Sequence, residues 1–127
     1  MKRTKFEIEY QLKTASINIL WNSIGNPLGL AEWFADVVTV KENEFIFTWD
    51  KNDQTAYLIE FKQNVSIRFQ WEEDKDSEYY FELKIVTLDI TGDLALIITD
   101  FAESNDKADL ILLWDKQIET LRRKSGI

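Results

Sequence analysis

The segment that decides the fold is KADLILLWDKQIETLRRK, residues 107–124. Its apolar side chains recur at helical spacing, with acidic residues at the start and basic residues at the end, as the helix dipole favours. Gly126 follows and predicts the helix stop, because glycine tolerates the left-handed backbone of a helix C-terminus. We therefore predict one long amphipathic C-terminal helix, whose apolar stripe consists of Leu110, Leu113, Trp114, Gln117, Ile118 and Leu121.

The sequence that precedes this helix alternates between apolar and polar residues, which is typical of strands with one wet face. Residues 65–71 alternate most cleanly, and residues 57–61 follow the same rule with Tyr57, Ile59 and Phe61 as the apolar set. Asn, Asp or Gly lies in each intervening turn, where positive backbone angles are common. In all, the pattern predicts five or six strands in this part, at 38–41, 45–49, 57–61, 65–71, 79–85 and 94–101.

Before these strands, the chain predicts one further strand and two short helices. Residues 6–12 alternate Phe, Ile, Tyr and Leu with polar residues, so they form a strand. Ser16 can cap a helix that ends at Gly25, and Asn26-Pro27 combines a cap with a proline at the first helical position. The predicted class is therefore α+β: a curved antiparallel sheet, two short helices after strand one, and the long helix covering one apolar face.

Composition limits the functions that this chain can have. Its 127 residues, 45% of them hydrophobic, suit one domain spanning 1–127 with a sizeable core. The chain has no cysteine and no histidine, which excludes thiol chemistry and removes the commonest general base and metal ligand. No cofactor and no metal site is expected from the sequence.

The formal net charge of −8 makes nucleic acid and anionic membrane surfaces poor partners. The basic N-terminus is followed by alternating charges rather than an apolar run, so it indicates a strand and not a signal peptide. No stretch approaches the ~18 apolar residues of a membrane span. We therefore expect a cytoplasmic location.

Three segments carry a resemblance to a known family. They are residues 15–21 (ASINILW), residues 27–36 (PLGLAEWFAD) and residues 96–102 (LIITDFA) followed by Leu113-Trp114. The order of elements and these segments resemble the START-like superfamily, also called the polyketide-cyclase and lipid-transport (SRPBCC) superfamily. The middle segment is similar to the P-x-x-L-x-x-W-F signature of the chaperone-ATPase-activator-like branch, and the third to small bacterial START-like proteins. The resemblance implies a helix-grip fold with a cavity between the sheet and the long helix, often occupied by an apolar small molecule.

Large rings dominate the residues that can reach the space between sheet and helix. A cavity with such walls suits a lipid-like or aromatic ligand, since binding pockets are mostly apolar with few polar anchors. The same rings can instead fill the interior completely. The candidate cavity residues are Trp33, Phe47, Trp49, Phe69, Trp71, Tyr79, Phe81, Asp100 and Trp114.

Asp100 and Tyr79 are the polar members of this set. Asp100 follows Leu94, Leu96 and Ile98 on one strand face, so its carboxyl can point inward with a raised pKa. Alternation places Tyr79 on the same face as Phe81, which predicts an inward hydroxyl. The acidic stretch Glu72–Glu78 lacks the glycine and spacing of a calcium loop, and we expect a solvated hairpin tip there.

Two functions remain open. The first is a noncatalytic module that binds an apolar small molecule beneath the C-terminal helix. The second is a protein-interaction domain similar to the chaperone activators, which has a packed interior and binds its partner through exposed surface. An enzyme of the cyclase type is least favoured, because the sequence offers no histidine and no clear acid–base pair.

Overall fold

Seven strands and three helices follow one another in the computed structural model, which describes residues 2–13 and 15–127. Their bounds are β1 Thr4–Leu12, α1 Ile17–Ile24, α2 Pro27–Trp33, β2 Val37–Lys41, β3 Glu44–Trp49, β4 Asn52–Lys62, β5 Ser66–Trp71, β6 Phe81–Thr87, β7 Leu94–Ala102 and α3 Lys107–Ser125. A short 3-10 turn, Glu72–Asp74, follows β5. The predicted order of elements is confirmed, with six strands after the two short helices.

The strands form one antiparallel sheet in the order β1-β7-β6-β5-β4-β3-β2. Consecutive strands from β2 to β7 are neighbours, so the middle of the sheet is a meander of hairpins. The first strand pairs with the last, with Ile8 opposite Ile98. This curved sheet with a long C-terminal helix is the predicted helix-grip fold of α+β class.

The helix ends follow the predicted capping residues. Ser16 Oγ accepts a hydrogen bond from the Ile19 amide at 3.2 Å, and Asn26 Oδ1 accepts one from the Gly29 amide at 2.8 Å. Gly126 ends α3 with φ 71° in the left-handed region. Each cap satisfies a backbone group that the helix itself leaves unpaired.

The prediction for β4 is wrong in its detail. The buried residue of this strand is Ala56, whereas Ile59 and Phe61 are both 49% exposed. Ala56 and Leu58 pair with Trp71 and Phe69 and so share the inner face, which turns Tyr57 outward. A register shift between Leu58 and Glu60 then inserts one residue and sets Phe61 opposite the buried Ile67. Simple alternation cannot anticipate a bulge.

The core lies between the inner face of the sheet and the three helices. Its centre is a set of fully buried rings, Phe47, Phe69 and Phe81. Phe69 and Phe81 stack at 5.3 Å between ring centroids, and Phe47 meets Phe69 edge to face at 5.5 Å. Such offset and edge contacts are the preferred geometries of aromatic pairs, and they close the interior around Phe47 and Phe69.

Only part of the predicted stripe of α3 is buried. Trp114, Ile118 and Leu121 are covered, but Leu113 is 52% exposed. Helical periodicity gives the direction of a side chain and not the reach of the sheet opposite it, which explains the difference. None of the helices within the described parts of the chain is long and apolar enough to cross a membrane.

Candidate functional site

A groove of about 430 Å³ opens between α3 and the inner face of the sheet. Strands β3 to β7 and the end of α2 supply one wall, and α3 supplies the other. The lining residues are Phe34, Trp49, Gln54, Trp71, Phe81, Asp100, Leu110, Leu113, Trp114 and Gln117.

The walls of this groove are mainly aromatic. Trp71 lies 5.1 Å from Phe81 and 6.1 Å from Trp49 between ring centroids, and Phe81 lies 6.0 Å from Trp114. The rings therefore form a continuous apolar surface that runs from the sheet to the helix. A flat apolar molecule would find ring faces or edges on both sides.

The backbone carbonyl of Phe34 holds two of the lining side chains in place. It accepts hydrogen bonds from Trp49 Nε1 at 2.7 Å and from Gln117 Nε2 at 2.9 Å. Phe34 directly follows the last residue of α2, where a carbonyl has no partner within the helix. One carbonyl therefore ties together α2, β3 and α3 at one end of the groove.

Asp100 is the single ionisable side chain among these ten lining residues, all of which belong to the described part of the chain. Its Oδ2 accepts a hydrogen bond from Trp114 Nε1 at 2.9 Å, and its Oδ1 accepts one from the Phe101 amide at 2.8 Å. Burial nevertheless raises the pKa of Asp100 to about 6, because desolvation outweighs these two bonds. The groove thus contains a carboxyl group that changes charge close to neutral pH.

Next to the groove, Arg3 forms an ion pair that the sequence did not predict. Arg3 Nη1 donates to Asp74 Oδ2 at 3.1 Å, its Nη2 donates to Asp74 Oδ1, and its guanidinium lies 3.8 Å above the Tyr79 ring centre. Asp74 is buried. The expectation of a fully solvated acidic tip at Glu72–Glu78 is therefore wrong for this residue, since Asp74 turns back to meet Arg3.

The structure brings together five of the nine sequence-predicted residues. Trp49, Trp71, Phe81, Asp100 and Trp114 all line the groove. Phe47 and Phe69 are fully buried behind it and belong to the packed core. Both candidate roles of the rings, cavity wall and interior filling, thus occur in one molecule.

Trp33 and Tyr79 lie elsewhere. Trp33 borders a neighbouring depression with α3 and donates through Nε1 to the Ser23 carbonyl at 2.8 Å. Tyr79 precedes β6, and its ring packs edge to face against Phe101. Its hydroxyl accepts a hydrogen bond from the Arg3 amide at 3.2 Å, so it joins the segments that precede β1 and β6 and does not line the groove.

Five lining residues were absent from the predicted site: Phe34, Gln54, Leu110, Leu113 and Gln117. Four of them belong to patterns that the sequence shows: Phe34 follows Trp33 at the end of the second short helix, and Leu110, Leu113 and Gln117 belong to the predicted stripe of α3. The sequence does not indicate that Gln54 lines a groove, because this residue lies on a strand among other polar residues. Pairing between β3 and β4, which sets Gln54 opposite Phe47, brings it to the inner face.

A family model described as START-like superfamily domain matches residues 1–127. A protein from Bacteroides fragilis solved by NMR is 41% identical, with a TM-score of 0.69, covering 97% of this chain and 91% of its own. No curated protein matches the chain.

Two solved structures at lower identity share the fold. The Aha1 dimer from Colwellia psychrerythraea is 12% identical, with a TM-score of 0.75, over 93% of this chain and 92% of that one. A protein from Mesorhizobium loti is also 12% identical, with a TM-score of 0.76, over 94% and 95%. At this identity, the likeness concerns the arrangement of the backbone.

Proposed function

The chain belongs to the START-like superfamily, and from that premise we propose that it is a noncatalytic binding module for an apolar small molecule, lipid-like or aromatic. The ligand lies in the groove between the sheet and α3. The residues that contact it are the lining aromatics Trp49, Trp71, Phe81 and Trp114, with Asp100 as the polar anchor. START-like domains commonly bind hydrophobic ligands.

The observation that carries this proposal is the contrast between two parts of the interior. Around Phe47 and Phe69 the rings are fully buried and leave no room. Beside α3, by contrast, a groove of about 430 Å³ stays open although apolar residues line most of it. Ligand sites are typically apolar concavities of this size with a few placed polar groups, which fits the groove better than the closed core.

Native mass spectrometry of the gently purified protein, followed by analysis of a denatured extract, is the first test. A stoichiometric adduct of lipid or aromatic type supports the proposal and gives the ligand class. The extracted molecule is then titrated back into stripped protein while tryptophan emission is recorded, since Trp49, Trp71 and Trp114 all line the groove.

Two adjacent leucines of α3 provide a matched pair of variants. Leu113 is 52% exposed and lines the groove, while Leu112 is 53% exposed and does not. We expect Leu113→Gln to weaken binding roughly tenfold through loss of apolar contact. Leu112→Gln makes the same chemical change on the same helix and is expected to leave affinity unaltered. Equal effects of both variants would argue against binding in the groove.

A protein-interaction domain similar to chaperone ATPase activators is the second candidate. The observation in its favour is that Leu112 and Leu113, which are 53% and 52% exposed, leave apolar surface of α3 open to a partner. The same experiments distinguish this function from ligand binding. A purified protein without adduct, together with a partner whose binding is weakened by both leucine variants, would favour this function over the first.

A further inference from the structure

We propose that the groove prefers a ligand that carries a positively charged nitrogen next to its flat apolar body, with Asp100 as the group that receives this nitrogen. The inference rests on the proposed ligand-binding function and specifies the chemical class of the ligand. Asp100 supplies the one ionisable side chain of the groove lining, and the other polar members of that lining, Gln54 and Gln117, are neutral amides.

The Asp100 carboxylate has free capacity to accept hydrogen bonds. Each of its oxygens receives one N–H group from the protein, from Phe101 and from Trp114. A carboxylate oxygen can accept two hydrogen bonds, so both retain an unused lone pair. The two protein donors also fix the orientation of the carboxylate, which reduces the entropy that a ligand must overcome on binding.

No protein cation pairs directly with Asp100 among the described residues. Arg3 acts on Asp100 through charge, but its guanidinium is bound to Asp74 and lies over the Tyr79 ring. Asp74 acts in the opposite sense, since its negative charge disfavours ionisation of Asp100. The groove residues from α3, β3 and β4 are uncharged. A buried carboxylate without a cation is incompletely compensated, and a ligand ammonium would supply the missing charge.

The surroundings of Asp100 also favour a cation. Trp114 donates to Asp100 and is therefore its immediate neighbour, and Trp71, Phe81 and Trp49 continue the aromatic wall from there. Faces of aromatic rings attract ammonium groups, and tryptophan does so most strongly. The net charge of −8 adds a long-range attraction for cationic ligands and a repulsion of anionic ones.

Three probes of one shape test this preference: naphthylmethylamine, naphthylmethanol and naphthoate, which are cationic, neutral and anionic at pH 7. Each is titrated into the full chain, with affinity measured by calorimetry and the contacted residues by NMR shift changes. We expect the amine to bind roughly tenfold more tightly than the alcohol, as a charge-assisted hydrogen bond suggests, and the naphthoate to bind most weakly.

The variant Asp100→Asn assigns the effect to this residue. It is expected to reduce affinity for the amine to that for the alcohol and to leave affinity for the alcohol within about twofold. Asp89→Asn is the matched control, because it changes the net charge equally in an exposed turn outside the groove. A second measurement needs no variant: between pH 5 and pH 7, affinity for the amine is expected to rise as Asp100 ionises, while affinity for the alcohol stays level.

The outcomes separate the two proposals. Equal affinity of the three probes at the groove, or an amine preference that survives Asp100→Asn and shows no pH dependence, would overturn the cation preference and leave the groove as a ligand site. Failure of all three probes to shift any groove resonance at millimolar concentration would count against both. An amine preference lost in Asp100→Asn and kept in Asp89→Asn supports both.

Discussion

Among single residues, Asp100 has the most direct effect on how stability depends on pH. Its pKa of about 6 in the folded protein lies above the unfolded value near 3.9. The folded state therefore binds this proton more tightly than the unfolded state does. The contribution of Asp100 is favourable at low pH and is lost as the pH rises through about 6.

The variant Asp100→Asn tests this sign. Because asparagine does not titrate, we expect the stability of the wild type relative to the variant to fall by roughly 2–3 kcal/mol between pH 4 and pH 7. Urea unfolding of both proteins across this range measures the difference. A difference that stays constant with pH, or that grows in favour of the wild type, would contradict the assigned pKa direction.

Trp114 is the residue on which the groove and the core both depend. It is 4% exposed, stacks near Phe34 at 5.8 Å between ring centroids, and donates to Asp100. We expect Trp114→Ala to lower the free energy of unfolding by ~3–5 kcal/mol, since a large buried ring is removed. Thermal and urea unfolding give the value.

A second variant of this residue separates packing from hydrogen bonding. Trp114→Phe keeps a ring but removes the N–H group, so its stability loss is expected to be well below that of Trp114→Ala. Loss of the donor also raises the pKa of Asp100 further, because the bond from Trp114 favours the charged form. An NMR titration of the Asp100 carboxyl that moves to lower pH in this variant would refute the role of the donor.

For single residues, the sequence predicts the face of the sheet on which a side chain lies. It does not predict whether that position is sealed in the core or borders open space. Periodicity identified Asp100 as inward-facing, because strand alternation fixes the side of the sheet. It could not separate Phe47, which is sealed in the core, from Trp49, which borders open space two residues later on the same face. That distinction depends on how far α3 covers the sheet, and no local pattern contains it.

Among the elements, α2 is held by an unusually close approach to α1. A side-chain carbon added at Gly29 would collide with the backbone carbonyl of Asn22 and would lie 2.8 Å from the Ser23 α-carbon. The two helices are therefore nearly in backbone contact. This contact places Phe34, just beyond α2, where its carbonyl can hold Trp49 and Gln117.

The variant Gly29→Ala tests the close approach. Because a backbone cannot rotate away as a side chain can, we expect a loss of roughly 1–3 kcal/mol from forced separation of the helices. Leu28→Ala, at an 84% exposed position in the same helix, is the control and is expected to stay within about 0.5 kcal/mol of the wild type. A stable Gly29→Ala protein with unchanged groove resonances would show that the contact is dispensable.

The elements themselves were well predicted, and the reason is local chemistry. Ser16, Asn26 and Gly126 act as caps in the structure as the sequence predicts, since a cap is defined by a few adjacent residues. Arg68 on β5 pairs with an acidic residue of the neighbouring strand, since its Nη2 contacts Glu82 Oε1 at 2.9 Å. The β4 bulge was missed, since nothing in the order of side chains near Leu58 marks an extra residue.

For the whole molecule, ligand binding and stability are linked. A molecule that binds only the folded state stabilises it by about 2.7 kcal/mol when present at one hundred times its dissociation constant. For a chain of this length, that corresponds to a rise of roughly 10 °C in melting temperature. We expect this rise for the wild type and Leu112→Gln, and a smaller rise for Leu113→Gln at the same ligand concentration. Differential scanning calorimetry measures all three, and identical shifts would contradict the assigned site.

The overall topology was predicted from the resemblance to the START-like superfamily and not from the pattern of apolar and polar residues. Alternation predicts strands but not their partners, and hairpin turns account only for neighbours in the chain. The pairing of β1 with β7 joins residues distant in sequence, and no turn signal specifies it. The resemblance to START-like proteins predicted the helix-grip fold as a whole, and the structure adds the partner of each strand.

The same pairing orders events during synthesis. Residues 4–12 leave the ribosome early, but their partners at residues 94–102 follow only after most of the chain has been made. Until β7 has been made, β1 has no partner, and the edge of β6 that β7 will occupy stays open beside the buried side chains of Leu83 and Ile85. Contacts between such distant residues slow folding, and an open apolar edge recruits other chains. A nascent copy of this protein is therefore most exposed to self-association at β1 and at the open edge of β6, and changes that weaken the pairing of β1 with β7 will reduce its yield before they alter what it binds.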